Sequence, residues 1–558
     1  MTDQNVSDTL PGIDALHPDT RLARIVTWSA IALSLVLACV VAFNPITYNT
    51  RNVPDATFLA QIGRWMQEGA MPGVDFGHFY GGMHEWFVAQ GLHLSGGTIK
   101  ALDYALVLEF IVVALGLQIV AWRRLDALTT ALLTLLCAVV LFARQPLEST
   151  QIIIQTASAH SFAYNRLGTA LTIIAAALLL VRSESRWADI AAGAVAGVAV
   201  TAAMLAKATF FPVAIVLLLG LAITARWPAL IAAVLAGILF GVINDPTGAR
   251  SFSTLAYSAA SSGSDTAYAW LFTKAVQLVF SQQLHLLLIL ALVFVLLQKD
   301  RSREMWTMLG LALALLMAFW ATSVTMGVGT AVGHQAAPVL AALAVLIFFA
   351  PRDRPVSSLG LPLVVVLYAA FVLPQGLNFA GSTASGLLKA DRVIITEGPL
   401  KGYLAGGKWL SYRTDTGAPA SPISQVSLDQ TAQSIAAGIQ DAGIHYVQLM
   451  DAVRLMEDIP NRSEAALVSD TRLGLNFATG TSRVEGYPQW LRRRSPELAE
   501  GKDPLANVNL ILLNAATRSG YSRILRRHMG DDFTLCKQSP IWFLYVRKSD
   551  SNRLCPGT

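Results

Sequence analysis

Long hydrophobic runs alternate with short polar breaks over the first two thirds of the chain. The runs are Ile25–Phe43, Leu102–Ala121, Ala127–Ala143, a segment ending at Leu180, Ile190–Ala206, Phe210–Ala225, Ala229–Ile243, Leu284–Leu297, Trp306–Thr322, Val339–Ala350 and Leu359–Leu373. Most approach the length a helix needs to cross a bilayer, so the pattern predicts about eleven spans. The first follows Arg21 and Arg24 and is long for a cleaved signal, so it reads as a retained span.

The breaks set an expected orientation. Arg21/Arg24, Arg123/Arg124, Arg182/Arg186, Arg226, Lys299/Arg301/Arg303 and Arg352/Arg354 all fall on one side if the spans are counted in order. Short basic loops mark the cytoplasmic face. The N-terminus is then inside, and the long aromatic loops and the whole C-terminal part are outside. The expected fold is a polytopic α-helical membrane protein with a C-terminal extracytoplasmic α/β domain, set in the cell (inner) membrane. Residues 1–20 read as a disordered cytoplasmic segment, 21–376 as the membrane domain with an outer loop at 44–100, and 377–558 as the α/β domain.

Composition agrees. The chain has 558 residues, 54% of them hydrophobic and only 14% charged, too apolar for a purely soluble protein. The net charge of +5 suggests a nucleic-acid partner only until its position is considered, since the basic residues cluster between spans. Cys39 and Cys137 lie within spans; Cys536 and Cys555 lie in the tail and are able to pair if that tail is exported.

From about Asn378 the period changes. "DRVIITE" reads as a strand, Ser427–Ala442 as a helix, "IHYVQLM" as a strand and "VNLILLN" as another. A helix through Ile524 and a hairpin in "FTLCKQSPIWFLYVRK" complete the tail. No glycine-rich phosphate loop opens its helices, so nothing supports a nucleotide site there. Arg492-Arg493-Arg494 reads as a solvated basic turn.

The loop after the first span, Asn44 to Lys100, is the unusual stretch. Asp55, Arg64, Glu68, Asp75, His78, His84 and Glu85 prevent it from crossing a bilayer, yet Phe58, Trp65, Phe76, Phe79, Tyr80, Trp86 and Phe87 make it no ordinary solvated loop. Two amphipathic helices are predicted. One is capped by Asn52, with Phe58, Leu59, Ile62, Trp65 and Met66 on one face and Gly69 at its end; the other carries Met83, Trp86, Phe87, Gln90 and Leu94. Such helices are expected to lie in the membrane interface, apolar face down. That would hold carboxylates at the membrane surface, where lipid headgroups are.

Ionisable residues near the spans are functional candidates by default. Lys207, in "MLAKATFFP", has apolar residues on both sides and is placed to bind a lipid phosphate, or else snorkels to the outer interface. Arg166 and Arg144 are similar cations. Glu109, within a span, is expected to pair with a buried cation or hydroxyl. His160 and His334 fall in outward segments, where they either line the cavity or are solvated. No His/Cys/Asp cluster has zinc-ligand spacing. A weakly held Mg or Mn ion at Asp55 and Asp75 stays open.

The stretch "PDATFLAQIGRWMQEGAMPGVDFGHFYGGMHEWFVAQG" resembles the first outer loop of GT-C superfamily glycosyltransferases, which include protein O-mannosyltransferases and the bacterial enzymes that add aminoarabinose to lipid A. Asp55, Gly69, Pro72, Asp75 and Tyr80 occupy the matching places, and "AYNRLG" and "LAKATFF" resemble segments of bacterial members. Asp55-Ala56 stands where many members have two acids. The resemblance covers about the first seven spans and implies an inverting transferase. Such an enzyme moves a sugar from a polyprenyl-phosphate donor to an extracytoplasmic acceptor, a glycan, lipid or protein. Position and resemblance make Asp55 the general base, or else simply an acid at a helix N-terminus. Beside it, Asp75 reads as a second carboxylate or a turn residue, and His78 and Tyr80 as contacts to sugar or phosphate or, for Tyr80, an interfacial anchor. His334 reads as a residue of the substrate cavity, and Lys207 and Arg166 as cations for the donor phosphate. The alternative is a transporter or flippase of a lipid-linked sugar. That class builds midplane sites from paired repeats, and no repeat is visible here. A scaffold that merely displays the tail leaves Lys207 and the acidic loop without a purpose.

Overall fold

The computed structural model describes residues 20–48, 53–78, 80–143, 160, 163–248, 251, 253, 287, 289–294, 297, 302–325, 336–349, 360–388, 393–395, 398–405, 425–438, 442–471, 473–486, 503–515 and 520–556. The protein is a polytopic helical membrane protein with a small C-terminal sheet. Among the described residues seven helices are long and apolar enough to cross a membrane, and three shorter apolar helices accompany them.

The membrane part begins with α1 (Arg21–Phe43). It continues with α4 (Ala101–Ala121), α5 (Ala127–Phe142), α6 (Ala163–Leu180), α7 (Arg186–Ala206), α8 (Phe211–Ile223) and α9 (Trp227–Asn244), then α10 (Arg303–Thr325), α11 (Ala336–Phe349) and α12 (Gly360–Leu388). Between α1 and α4 lie the loop helices α2 (Val53–Gln67) and α3 (Met83–Ser95). Most of the span expected over Leu284–Leu297 lies outside the described residues. Local chemistry sets several starts: Thr20, Asp126 and Ser185 each accept the backbone N–H three residues on, capping α1, α5 and α7.

α6 is the axis of the bundle. All its residues are buried, including Asn165, Arg166, Thr169 and Thr172. The two threonine hydroxyls donate back to the carbonyls of Asn165 and Gly168, so they need no partner from another helix. α1 and α9 stand at the outside, with Trp28, Phe43, Leu235 and Ile238 exposed as lipid-facing surface. α7 and α9 meet through Gly193 and Gly197. A Cβ at either glycine would fall 2.2 or 2.0 Å from the carbonyl oxygen of Ala229 or Ala233. Small residues one turn apart let two backbones touch where lipid provides no hydrophobic drive.

Three of the basic loops come together at one end, as the span order predicts. Asp189 accepts from Arg124 at 2.5 Å and from Arg226 at 2.8 Å, while Ser183 donates to the Arg123 carbonyl and Arg182 to that of Thr224. The first loop, Arg166 and Lys207 lie at the opposite ends of these helices.

Four expectations change. α12 does not stop near residue 373 but runs through Pro374 to Leu388. Gln375, Asn378 and Ser382 recur one turn apart and are all buried, so the polar residues that looked like a boundary form an inward face of the same helix. The expected domain limit at 376/377 therefore falls inside a continuous helix. "IHYVQLM" is not a strand; it belongs to the helix Ala442–Glu457. Its β-branched and aromatic content suggested a strand, but the buried positions Ile444, Val447, Asp451 and Ala452 continue to Met456 with helical spacing. His160 is not a solvated loop residue: it is 2% exposed. Finally, α2 does not present its apolar face to the membrane. Phe58, Leu59, Ile62 and Trp65 are buried in protein, against α3 and the tail.

The tail's main sheet has the order β4-β5-β7-β6, from β4 (Leu467–Ser469), β5 (Leu510–Asn514), β6 (Phe533–Gln538) and β7 (Trp542–Arg547). The β4–β5 pair is parallel and the others antiparallel, and β6–β7 is the hairpin expected from the sequence. Cys536 and Cys555 are joined by a disulfide with 5.9 Å between Cα atoms, tying the chain's end to that hairpin. A second, three-stranded sheet places β1 (Thr47–Tyr48), directly after α1, parallel to β3 (Tyr403–Ala405), with β2 (Val393–Ile394) on the other side. The first loop is thus one strand of the tail's own structure.

Candidate active site

α2 opens with Val53, Pro54 and Asp55, so Asp55 lies in the first turn, beside the positive end of the helix dipole. Its expected cap, Asn52, lies outside the described residues. From Ala70 the chain folds into a tight turn in which the Asp75 carboxylate accepts the Met71 N–H at 2.7 Å. Asp75 is therefore occupied in closing its own turn, and its backbone carbonyl accepts from Gly486 N–H at 3.0 Å and Arg483 at 3.4 Å. This turn is fixed from both sides, locally and by the tail.

The segment then enters the protein. His78 is buried, bonded through Nε2 to Glu85 at 3.3 Å, and ringed by Phe58, Phe76 and Tyr80 at centroid distances of 6.4, 5.9 and 5.5 Å. One residue before Glu85 in α3, His84 Nδ1 meets Glu109 of α4 at 2.6 Å. Glu109 thus has the buried partner expected of it. All four side chains are buried, and Arg166 lies within electrostatic reach of His84 and Glu109. Burial disfavours charge on Glu85, but the hydrogen bond and charge of His78 outweigh it and hold the carboxyl below its usual range. Burial likewise opposes a charge on His84, and Glu109 with Glu85 overcomes it, raising the imidazole above its ordinary value. These interlocked pairs clamp the start of α3 to α4.

Tyr80 is where the loop meets the spans. Its ring stacks on Tyr164 of α6 at 4.0 Å, and the Tyr164 hydroxyl donates to the Tyr80 oxygen at 2.8 Å. Lys207 lies over both rings, its Nζ 5.9 Å from the Tyr80 centre and 5.5 Å from that of Tyr164. The lysine follows the last residue of α7 in extended backbone, before the short 3₁₀ turn Ala208–Phe210. Burial pulls its amine down to about 7. The Tyr164 phenol is also within electrostatic reach of Asp55 and Glu85. The ammonium at the end of α7 therefore lies over the tyrosine pair, and the carboxylate at the start of α2 is within electrostatic reach of Tyr164. Such a site supplies an anionic base, a cation for a phosphate, and an aromatic floor between them.

Tyr80 thus lies against His78 and beneath Lys207, Asp55 is within electrostatic reach of Tyr164, and Arg166 lies near the buried pairs. It puts Asp75 in a turn braced by the tail. His334 and Arg144 lie outside the described residues, as does the Arg492–Arg494 run. Among the described residues no group of three or more His, Cys, Asp or Glu is arranged to hold a metal ion. Tyr164 and the pairings of Glu85 and His84 escaped sequence reasoning. "SFAYNRLG" drew notice for its arginine, and nothing in spacing joins residue 164 to residue 80. His160 stands 3.9 Å from Asp103, which also binds Lys100 at 2.9 Å and the Thr47 hydroxyl at 3.0 Å, a buried brace behind β1.

The tail reaches α2 directly. Gly474 N–H donates to the Thr57 hydroxyl at 3.1 Å, Asn476 N–H to Gln61 at 3.0 Å, and Arg64 to the Asn476 carbonyl at 3.3 Å. The helix that carries Asp55 is held by the C-terminal part.

No protein-family model and no curated protein sequence matches the chain. Solved structures do. ArnT from Cupriavidus metallidurans in the apo state aligns over 94% of this chain and 98% of its own, at 12% identity and a TM-score of 0.50. ArnT of the same organism bound to undecaprenyl phosphate aligns over 92% and 97%, at 12% identity and a TM-score of 0.48. The archaeal oligosaccharyltransferase AglB from Archaeoglobus fulgidus, in complex with an inhibitory peptide and a dolichol-phosphate, aligns over 89% and 70%, at 10% identity and a TM-score of 0.40. At such identity the likeness is one of architecture alone: the chain has the fold of ArnT.

Proposed function

We propose that this protein is a GT-C glycosyltransferase that transfers a sugar from a polyprenyl-phosphate donor to an acceptor outside the cytoplasm. The observation that carries this reading is Lys207, at the end of α7, lying over the Tyr80–Tyr164 pair, with Asp55, at the start of α2, within electrostatic reach of the Tyr164 phenol. In this reading Lys207, with Arg166 behind it, offsets the charge of the donor phosphate as it leaves. Asp55 accepts the proton of the attacking acceptor group, and the bond to the sugar inverts in a single displacement. Tyr80 and His78 line the sugar's position, Asp75 keeps the loop in shape, and His334 remains a candidate for the cavity wall. A divalent ion, Mg or Mn, is not needed for these roles.

The membrane side follows from the same reading. The basic loops 122–126, 181–186 and 224–226 face the cytoplasm, and the loop, Lys207 and tail face outward. The disulfide between Cys536 and Cys555 suits an exported domain. A flippase for a lipid-linked sugar is the alternative, but the polar groups gather at one end of the helices instead of at the midplane.

The test is transfer itself. Purified protein is incubated with a radiolabelled polyprenyl-phosphate sugar and an envelope extract as acceptor source. Label appearing in the extract, and absent with Lys207→Ala, supports the assignment. Movement of the intact lipid-linked sugar across proteoliposomes, without cleavage of the sugar–phosphate bond, refutes it in favour of the flippase.

A further inference from the structure

A cavity of about 850 Å3 opens in the tail between the helix Ala442–Glu457 and the β6–β7 hairpin, and it shares no residue with the site at Lys207. Its wall holds one group that the proposed transfer does not use. Asp451 is 2% exposed, and its Oδ2 accepts the Ser539 hydroxyl at 2.5 Å. Ser539 is committed elsewhere too: its oxygen accepts the N–H groups of Ile541 and Trp542, which pins the hairpin turn. The other carboxylate oxygen of Asp451, Oδ1, accepts no hydrogen bond from any described residue. It is not sealed from solvent either, so it borders the cavity. A buried carboxylate with half its acceptor capacity unspent is costly unless a donor arrives to meet it.

The surrounding chemistry specifies the donor. Around Asp451 stand Arg454, one turn along the helix and exposed; Lys537, bonded to the Leu455 carbonyl and paired with Asp458 at 3.5 Å; and Gln538. Half-buried Phe543 supplies an aromatic surface, with the Arg526 guanidinium 5.7 Å from its ring centre. Acceptors and donors alternate at close quarters and the charges nearly cancel, so neither a strong anion nor a strong cation is favoured. Hydroxyl groups both give and take hydrogen bonds, and the C–H face of a sugar ring packs on an aromatic ring.

We propose that this cavity binds a neutral saccharide through Asp451, Arg454 and Phe543, and that the saccharide is the glycan part of the acceptor. Only the word acceptor rests on the transferase reading; the binding does not. The helix that supplies Asp451 packs on α2 and on the short helix Leu475–Thr479 that grips it. One wall of the cavity is therefore a helix that also packs on the element carrying Asp55.

The experiment measures saturation-transfer difference NMR on the full chain in detergent. The probes are neutral hexose and N-acetylhexosamine oligosaccharides, with oligogalacturonate as the anionic comparison. The expected result is saturation of at least one neutral oligosaccharide, weakened about tenfold by Asp451→Asn and by Arg454→Ala at unchanged unfolding midpoint. Arg454 is exposed, so its variant decides the matter if Asp451→Asn fails to fold. No saturation across the neutral panel, affinity unchanged in both variants, or binding of the anionic oligosaccharide alone would each overturn the proposal. If neutral saccharides bind but no sugar is transferred, the subsite stands and the transferase reading falls.

Discussion

Gly81 lies against the backbone of Leu205, so close that a Cβ on it would be 2.0 Å from the Leu205 carbonyl oxygen. That contact, between the outer loop and the last turn of α7, is what sets Tyr80 beneath Lys207. Because the obstacle is backbone, no rotamer change relieves it. Gly81→Ala is expected to push the loop off α7, lowering transfer about a hundredfold, as small misplacements of substrate-positioning groups do. Assayed beside thermal unfolding, a variant with normal activity would show that the approach is incidental.

The Lys207 amine titrates near 7 because burial disfavours its charge. Its cation is complete well below that pH and lost as pH rises through it. The KM for the polyprenyl-phosphate donor is therefore expected to climb from pH 6 to pH 8. Lys207→Arg keeps its charge throughout this range, so its KM profile is expected to be flat. Parallel profiles for the two proteins would remove the lysine from phosphate binding.

Asp55→Asn tests the proton acceptor. The amide retains shape and hydrogen bonding but takes no proton, so kcat is expected to fall about 10²- to 10⁴-fold with little change in donor KM. A folded variant that transfers sugar at the ordinary rate ends the role of Asp55 as base.

Cys536 and Cys555, 19 positions apart, fasten the chain's end to the β6–β7 hairpin. Replacing both with serine is expected to destabilise the tail by about 3 kcal/mol, the loop-closure entropy restored to the unfolded chain. Limited proteolysis of the purified protein with and without reductant reads this out directly. Unchanged cleavage kinetics would mean that packing alone holds the end in place.

Gly474 makes the corresponding contact for the tail. Its Cβ would be 2.1 Å from the Thr57 carbonyl oxygen, two residues along α2 from Asp55. Gly474→Ala is expected to loosen the tail from α2, lowering kcat more than donor KM, since Lys207 is untouched. An equal rise in KM would place the tail at the donor instead.

The sequence by itself marked most of the apolar helices, the grouping of three basic loops at one end, and the two helices of the first outer loop. It did so because lipid demands long apolar runs and leaves charge only at their ends, a constraint written residue by residue. It also offered Lys207 as a candidate, since an ionisable group beside a span is conspicuous without neighbours, and Asp55 through the resemblance of its loop. It did not disclose Tyr164 under Lys207, the pairs His78–Glu85 and His84–Glu109, or Gly474 against Thr57. Each joins segments separated along the chain, by as many as 417 residues, and no local period encodes such a meeting. The helix at 442–457 went unrecognised for a related reason: its strand-like composition was overruled by the buried face that its neighbours impose. Burial against lipid is a property of a run of residues, whereas a site is a property of which runs touch, and only packing settles that.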